Sequence, residues 1–371
     1  MQGKIGIITF HRAVNYGAIL QTYGLYTALR RLGRDAEVID YRADFIEKGN
    51  RLIFCDGTNL AQRARSLLIS ILLYRGNRRR LEQSERFINK HLSLSAPVSD
   101  LRNISDSYAS YITGSDQVFN RGIVRNDADA YFLSWVADPS KKYSYAASFG
   151  ATAIEKAQEN WYRQRLQSFA GLSIREQSGA DLVFEITGRK AEVHMDPTFL
   201  LTRKDWASLA EEALSLVPKQ PYILLYPMLE TERLYQNTQR LSVKMGLPVI
   251  CLSAALRAKK QYPDFHFIAD ASPEEFLALF QHAACVMTSS FHGTAFSIQF
   301  QKQFISMLPL ENGRSDRVRS LLRTLGLQSR LVDSHDEDFD ISAAIDWADV
   351  ERRLAEERER AYQYLREIEA T

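Results

Sequence analysis

The sequence predicts an α/β protein made of two Rossmann-like, doubly wound domains that face each other across a cleft. The chain opens with a β-α-β pattern, in which strands at 4–10 and 37–41 flank a helix at 18–33. From residue 221 to residue 327, strands and helices alternate, as they do in open parallel sheets. The length of 371 residues also exceeds the size at which one core usually stops growing, about 250–300 residues.

In the rest of the first half, short apolar runs predict strands and longer periodic stretches predict helices. Residues 60–91 have the spacing of one or two helices, and residues 153–169 have the spacing of another. The predicted strands are 108–114, 142–148, 171–176 and 192–197. Residues 115–132 have too little periodicity for a helix or strand, and a long irregular segment in a compact domain is more often functional than idle.

The second half alternates more regularly. Strands are predicted at 221–228, 247–253, 265–270, 285–290 and 303–308. Helices are predicted at 231–246, 273–283, 294–300 and 315–327. Ser315 suits the N-cap of the last helix. The N-terminal domain is expected to span residues 1–205 and the C-terminal domain residues 206–340.

A charged amphipathic helix is predicted over residues 343–369. Its apolar stripe must pack on another part of the protein, and it consists of Trp347, Val350, Leu354, Ala361, Leu365 and Ile368. We expect this segment, residues 341–371, to return to the N-terminal domain. Two doubly wound domains closed by such a helix resemble the glycosyltransferase-B (GT-B) architecture.

Composition limits the classes of partner. The 47 basic and 45 acidic residues nearly balance, so the net field does not indicate nucleic acid. The N-terminus lacks the pattern of an export signal, and the apolar run at 67–74 is far shorter than the ~20 residues of a membrane span. Three cysteines in mostly apolar surroundings, interpreted as buried, fit a reduced cytoplasmic protein: Cys55, Cys251 and Cys285.

The turn at residues 288–293, Thr-Ser-Ser-Phe-His-Gly, is the strongest candidate for chemistry. It follows a predicted strand of an open parallel sheet, and ligands bind beyond the carboxyl ends of such strands. The next helix offers unpaired N–H groups to a phosphate or carboxylate. His292 could deliver a proton there, although a lone histidine more often caps a helix or completes a core hydrogen bond. The neighbours that favour function are Ser289, Ser290, Gly293 and Thr294.

Polar residues at two other predicted strand ends could bind an acceptor. Asp116 could accept a hydroxyl proton or hold a sugar hydroxyl beside Gln117, or it could simply form a turn. The first β-α turn lies on the same sheet edge as Asp116. Its amide and phenol groups could form hydrogen bonds with sugar hydroxyls, although an Asn-Tyr-Gly loop is equally an ordinary turn. The residues there are Asn15, Tyr16, Gly17 and Gln21.

Arginines could supply positive charge for an anion. Arg175 would suit a bidentate grip on a carboxylate or phosphate, unless it pairs with Glu176. Arg314 and Arg317 lie near a predicted helix N-terminus that could face the same cleft. A further cluster could contact acidic lipid headgroups at a membrane surface, although most charge runs are solvated: Arg75, Arg78, Arg79 and Arg80.

Six stretches occur in a defined order: NYGAILQTYGL (15–25), GSDQVFN (114–120), SYAASFG (144–150), SIREQSG (173–179), DPT (196–198) and SSFHGTAFSIQF (289–300). None is specific alone. As an ordered set they resemble the polysaccharide pyruvyltransferase family, whose members transfer pyruvate from phosphoenolpyruvate to a sugar as a ketal. The resemblance covers most of the chain from residue 5 to about residue 330. It implies an active site between two Rossmann-like domains, with the anionic donor held largely by the C-terminal half.

The resemblance carries over directly to His292, Arg175 and Asp116. Pyruvyl transfer needs an acid for the donor's methylene carbon and a base for a sugar hydroxyl. We therefore expect His292 to be the acid or to orient phosphate, and Asp116 to be the base or to accept a sugar hydroxyl. No metal and no cofactor besides the donor phosphoenolpyruvate is expected.

The sequence departs from the family pattern at one position. The family has an arginine two residues before the histidine, which helps to bind phosphoenolpyruvate, whereas this chain has Ser290. Either Arg175, Arg314 or Arg317 supplies the charge, or the donor differs.

Three functions stay open on the sequence alone. The first is a ketal pyruvyltransferase that acts on a hexose of a bacterial surface polysaccharide, with a sugar or a lipid-linked oligosaccharide as acceptor. The second is a glycosyltransferase with a nucleotide-sugar donor. The third is a sugar-binding or scaffold protein that has lost donor binding.

Overall fold

The computed structural model describes residues 3–105, 107–310 and 315–368. A parallel sheet in the first half has the strand order β2-β1-β3-β4. Its strands are β1 (Ile5–Ile8), β2 (Ala36–Val38), β3 (Ser110–Thr113) and β4 (Lys142–Ser144). A parallel pair, β5 (Ser173–Ile174) and β6 (Glu192–Val193), continues this sheet, because the amide of Ala147 donates to the carbonyl of Ser173 at 3.0 Å.

The second half holds a six-stranded parallel sheet with the order β12-β11-β10-β7-β8-β9. Its strands are β7 (Ile223–Tyr226), β8 (Val249–Leu252), β9 (His266–Ile268), β10 (Cys285–Thr288), β11 (Gln303–Leu308) and β12 (Leu331–Asp333). The chain reverses direction across this sheet between β7 and β10, which is where doubly wound folds place ligands. The predicted α/β class with parallel sheets is confirmed.

Helices cover both sheets. In the first half they are α1 (Tyr16–Arg31), α2 (Asp44–Gly49), α3 (Leu60–His91), α4 (Arg121–Val124), α5 (Ala128–Tyr131), α6 (Lys156–Leu166) and α7 (Gln177–Thr187). From residue 203 onwards they are α8 (Arg203–Ala210), α9 (Glu232–Met245), α10 (Leu256–Gln261), α11 (Pro273–His282), α12 (Phe291–Gln299), α13 (Asp316–Thr324) and α14 (Trp347–Glu367). No helix in the described ranges is both long enough and apolar enough to cross a membrane.

The C-terminal helix α14 makes hydrogen bonds to the first half. The hydroxyl of Tyr364 donates to the carbonyl of Ser144 at 2.8 Å, and Nε of Arg358 donates to the carbonyl of Phe199 at 2.9 Å. Leu365 is fully buried on the same side of the helix. These contacts attach α14 beside β4, whereas the boundary near residue 205 stays a prediction.

Four local expectations need correction. Residues 115–132, predicted to be irregular, contain α4 and α5, which are too short to produce a periodic pattern. Helix α12 begins three residues earlier than predicted, so His292 lies inside it. Ser315 stands at the N-cap position of α13, but its side chain makes no capping hydrogen bond. Cys55 is exposed, whereas the other two cysteines are buried as expected.

Candidate functional site

The strand-to-helix turn between β10 and α12 positions His292. Ser290 is the N-cap of α12, and its Oγ accepts a hydrogen bond from the Gly293 amide at 3.3 Å. His292 is therefore the second residue of the helix. Its side chain is 9% exposed, and Nε2 makes no hydrogen bond with any described residue.

Asp196, just beyond β6, is the buried centre of the site. Its Oδ2 accepts hydrogen bonds from Ser115 Oγ at 2.9 Å and from Arg175 Nη1 at 2.8 Å. His292 Nε2 lies 3.6 Å from the same oxygen, which is slightly too long for a hydrogen bond. Burial raises the pKa of Asp196, but His292 and Arg175 outweigh burial and hold this pKa well below its usual range. The carboxylate is therefore charged and faces two basic side chains.

Arg175 lies on the other side of Asp196. Its guanidinium is 4.5 Å from the centre of the Phe291 ring, and Nη2 is 3.6 Å from Asp116 Oδ1. Neither Nε nor Nη2 has a hydrogen-bond acceptor among the described residues, although both atoms are buried. Burial lowers the pKa of Arg175, but nearby carboxylates outweigh burial and raise it, so the guanidinium stays charged. A buried guanidinium with two unused donor atoms is able to bind an anion.

Arg317 of α13 reaches the same place from the C-terminal half. Its Nη1 lies 3.9 Å from Asp116 Oδ1, and its guanidinium is 5.9 Å from the centre of the Phe291 ring. Burial, together with the positive charge of Arg175, lowers the pKa of Arg317. About a fifth of the Arg317 side chain is exposed, so this arginine is accessible from solvent.

Asp116 occupies a strained position at the end of β3. Its φ angle of 74° lies in the left-handed region, which non-glycine residues seldom adopt. Its Oδ1 accepts a hydrogen bond from the Gln117 amide at 2.8 Å, so the residue also forms a turn. Backbone strain of this kind tends to occur at functional sites. The structure places Asp116 beside the two arginines and gives no direct contact with His292.

The first turn of α1 meets the imidazole. A Cβ atom added to Gly17 would lie 2.0 Å from His292 Nδ1, so only a glycine permits this approach. Asn15 caps α1, because its Oδ1 accepts hydrogen bonds from the amides of Gly17 at 2.9 Å and Ala18 at 3.3 Å. The side chain of Asn15 therefore helps to fix the helix that confines His292.

Other residues predicted to bind the acceptor make internal contacts. Tyr16 stacks on Phe276 with ring centres 4.6 Å apart, and its hydroxyl donates to the Ala271 carbonyl at 2.9 Å. Gln21 is buried and donates to the hydroxyl of a threonine in the N-terminal half. Gln117 accepts a hydrogen bond from the side chain of a nearby asparagine. An acceptor role for these three stays a prediction.

The predicted donor residues around His292 mainly build the turn. Ser289 Oγ accepts hydrogen bonds from two amides of the loop after β7, at 3.0 and 2.8 Å. Thr294 Oγ1 donates to the Ser290 carbonyl at 3.0 Å. A Cβ atom on Gly293 would lie 2.2 Å from Thr288 Oγ1, so this glycine lets α12 pack on β10. Arg314 lies outside the described residues.

Four residues of the site were not predicted from the sequence: Ser115, Glu176, Asp196 and Phe291. Asp196 could have been found from the sequence, because the Asp-Pro-Thr stretch lies at the carboxyl end of a predicted strand, where ligands bind in parallel sheets. Glu176 Oε1 accepts hydrogen bonds from the Ser148 hydroxyl and the Phe149 amide, at 2.8 and 3.0 Å. Burial raises the pKa of Glu176. Phe291 could not be distinguished in sequence from a core phenylalanine.

The arginines that follow the apolar run of α3 have different surroundings. Arg79 pairs with Asp270 of the second half at 3.4 Å, and Arg80 lines a cavity between the halves beside Tyr16. Arg78 pairs along the helix with Glu82 at 2.7 Å. Arg75 is exposed.

Two parallel α/β sheets with a site between them define a two-domain fold of the GT-B kind. A UDP-N-acetylglucosamine 2-epimerase structure from Listeria monocytogenes has a TM-score of 0.50 at 8% identity, with 97% of this chain and 91% of that chain covered. The epimerase of Methanocaldococcus jannaschii has a TM-score of 0.48 at 12% identity, over 96% and 92%. The ADP-heptose LPS heptosyltransferase II of E. coli has a TM-score of 0.39 at 11% identity, over 96% and 99%. At these identities the likeness concerns the fold alone.

The sequence itself carries the family assignment. The family model described as polysaccharide pyruvyl transferase matches residues 15–309. The chain belongs to this family, as its six ordered stretches predicted, and is a transferase by that membership. No curated protein sequence matches it significantly.

Proposed function

We propose that the protein is a ketal pyruvyltransferase that moves pyruvate from phosphoenolpyruvate to two hydroxyl groups of a hexose. The acceptor belongs to a surface-polysaccharide precursor, carried on a lipid in the cytoplasm at the inner face of a membrane. The observation that carries this proposal is that the buried carboxylate of Asp196 faces both His292 and Arg175. It links a group that can move a proton to a group that can hold an anion.

The chemistry begins at the methylene carbon of the donor. His292 gives this carbon a proton, and C2 becomes electrophilic. A sugar hydroxyl adds to C2 and loses its proton, and the C2–O bond to phosphate breaks. The second hydroxyl then adds to C2 and loses its proton, which closes the ketal. One of the two hydroxyl protons replaces the proton that His292 gave to carbon, and the other goes to the released phosphate. The products are the pyruvylated sugar and inorganic phosphate, so atoms and charges balance.

The neighbouring residues take the remaining roles. Arg175 and Arg317 hold the carboxylate and phosphate of the donor and offset the charge on the leaving phosphate. Their guanidinium groups stand in for the arginine that the family pattern has at position 290. Asp116 accepts the proton of a sugar hydroxyl or holds that hydroxyl in place. Asp196 stabilises the positive charge of His292 and fixes the orientation of Arg175.

Thermal unfolding in the presence of ligands tests the donor. Phosphoenolpyruvate should raise the melting temperature, since a ligand at 100 times its Kd stabilises a protein by about 2.7 kcal/mol. Arg317→Ala should reduce this shift, whereas Arg240→Ala, an exposed arginine of α9, should leave it intact. Stabilisation by UDP and not by phosphoenolpyruvate would favour a glycosyltransferase. No shift with either ligand would contradict the proposed donor.

A further inference from the structure

The N-terminal half of α3 exposes an apolar face. The exposed fractions are 37% for Leu67, 58% for Leu68, 57% for Ile71 and 64% for Leu72. With 3.6 residues per turn, these four side chains and Arg75 lie on one side of the helix. In residues 60–79 only Ser70 is buried and six others are half-buried, so most of this part of the helix is exposed.

Positive charge surrounds this face. Residues 57–81 contain six arginines and no aspartate or glutamate. Arg63 and Arg65 flank the apolar residues on opposite sides of the helix, and Arg75 lies at one end. The nearest acids in sequence are Asp56 and Glu82, and Glu82 already pairs with Arg78. Apolar side chains bordered by arginines are the pattern of helices that lie in the interface of an anionic bilayer.

We propose that the apolar face of α3, made of Leu67, Leu68, Ile71 and Leu72, docks the protein on a membrane that contains anionic lipids. A second copy of the chain fits this face less well. A twofold interface brings the same patch of each copy together, so the arginines of two copies would face each other without acids.

Docking through this face would bring the cleft to a membrane-bound acceptor. This functional role rests on the proposed lipid-linked acceptor. Arg80 lines the cavity between the two halves, and its Nη2 donates to the Val14 carbonyl beside the first turn of α1. Leu72 precedes Arg80 by eight residues on one helix, a distance of about 12 Å along its axis. A bilayer against the apolar face would therefore hold the cleft close to a headgroup-bound sugar.

Co-sedimentation with vesicles tests the proposal. The full-length protein should pellet with vesicles of phosphatidylcholine and phosphatidylglycerol, and much less with phosphatidylcholine alone. Leu68→Gln/Ile71→Gln/Leu72→Gln should weaken binding at least about tenfold, because three aliphatic side chains lose their burial in lipid. Arg65→Glu/Arg75→Glu should also weaken it, and raising the salt from about 0.1 M to about 1 M should mimic that charge reversal.

Matched controls distinguish binding through this face from nonspecific adsorption to vesicles. Phe184→Gln/Val243→Gln changes two apolar side chains that are exposed elsewhere, and it should bind vesicles like the wild type. Circular dichroism should show that every variant is folded. Phosphate release from phosphoenolpyruvate with a soluble sugar acceptor should be unchanged in the α3 variants, so a missing pyruvyltransferase activity is distinguishable from missing membrane binding. Unchanged vesicle binding by both α3 variants, or a wild-type dimer that the glutamine variant dissociates, would overturn the proposal.

Discussion

At the scale of single residues, the contact between Gly17 and His292 offers a direct test of the proposed acid. The smallest side chain at position 17 would place a carbon 2.0 Å from the imidazole, so Gly17→Ala must push His292 aside. We expect phosphate release from phosphoenolpyruvate to fall about 100-fold, because a displacement of about 1 Å in an active site can cost that factor. The measurement is steady-state phosphate release.

The double variant shows whether the loss of activity depends on the imidazole of His292. Gly17→Ala added to His292→Gln should cost almost nothing more, because the group that it displaces is already gone. His282→Gln changes a half-exposed histidine of α11 and should retain full activity. If the fold losses of activity from the two substitutions multiply in the double variant, then Gly17 does not act through His292.

Individual residues also show how much of the candidate site could be predicted from the sequence. His292, Arg175 and Arg317 follow strands or begin helices, and the structure brings them together where the two sheets face each other. Sequence could not reveal that Asp196 faces both His292 and Arg175, because that depends on how two sheets meet. The Thr294 hydroxyl donates to the backbone of its own turn, and a donor-binding role for it stays a prediction.

At the scale of elements, an ion pair joins helix α1 of the first half to α8. Arg31 Nη1 and Nη2 donate to the two carboxylate oxygens of Asp205 at 2.9 and 2.7 Å. The hydrogen bonds from Arg31 lower the pKa of Asp205 to about 2, although burial raises it. Since this value lies below the unfolded value of about 3.9, the pair stabilises the protein above about pH 4 and loses its effect as the pH falls towards 2.

Replacing either partner should expose this pH dependence. Asp205→Asn should lower the free energy of unfolding by about 1 kcal/mol at pH 7, a modest value because the pair is partly solvated. The difference from wild type should shrink between pH 4 and pH 2 in urea unfolding experiments. Arg31→Met keeps the Thr202–Asp205 capping box and should show the same trend. A difference that stays constant with pH would assign the effect to the helix cap.

Element prediction worked where apolar periodicity is long. Strand β11 has the predicted bounds, and α9 differs from its prediction by one residue at each end. Helices α4 and α5 have only four residues each, which is about one turn, so tertiary packing determines them, together with the Asn120 cap for α4. The start of α12 was misjudged because Phe291 and His292 were assigned to a turn, whereas Ser290 caps the helix before them.

At the scale of the whole molecule, α14 connects the end of the second half to the first sheet. Arg353 donates from α14 to the Thr324 carbonyl, whereas Tyr364 donates to Ser144 near the other end of the helix. Leu365, the residue after Tyr364, is fully buried. A loosened α14 should therefore affect regions that are distant in sequence.

Leu365→Ala tests this connection. Removing a buried leucine side chain should lower the free energy of unfolding by about 2–5 kcal/mol in urea titration. Hydrogen exchange measured by mass spectrometry should show lost protection in α14, in β4 and around residues 197–200, because α14 donates hydrogen bonds to Ser144, Phe199 and Leu200. Val243→Ala, at an exposed position of α9, should change neither measurement. If protection is lost in α14 alone, the helix is a peripheral attachment and does not support the first sheet.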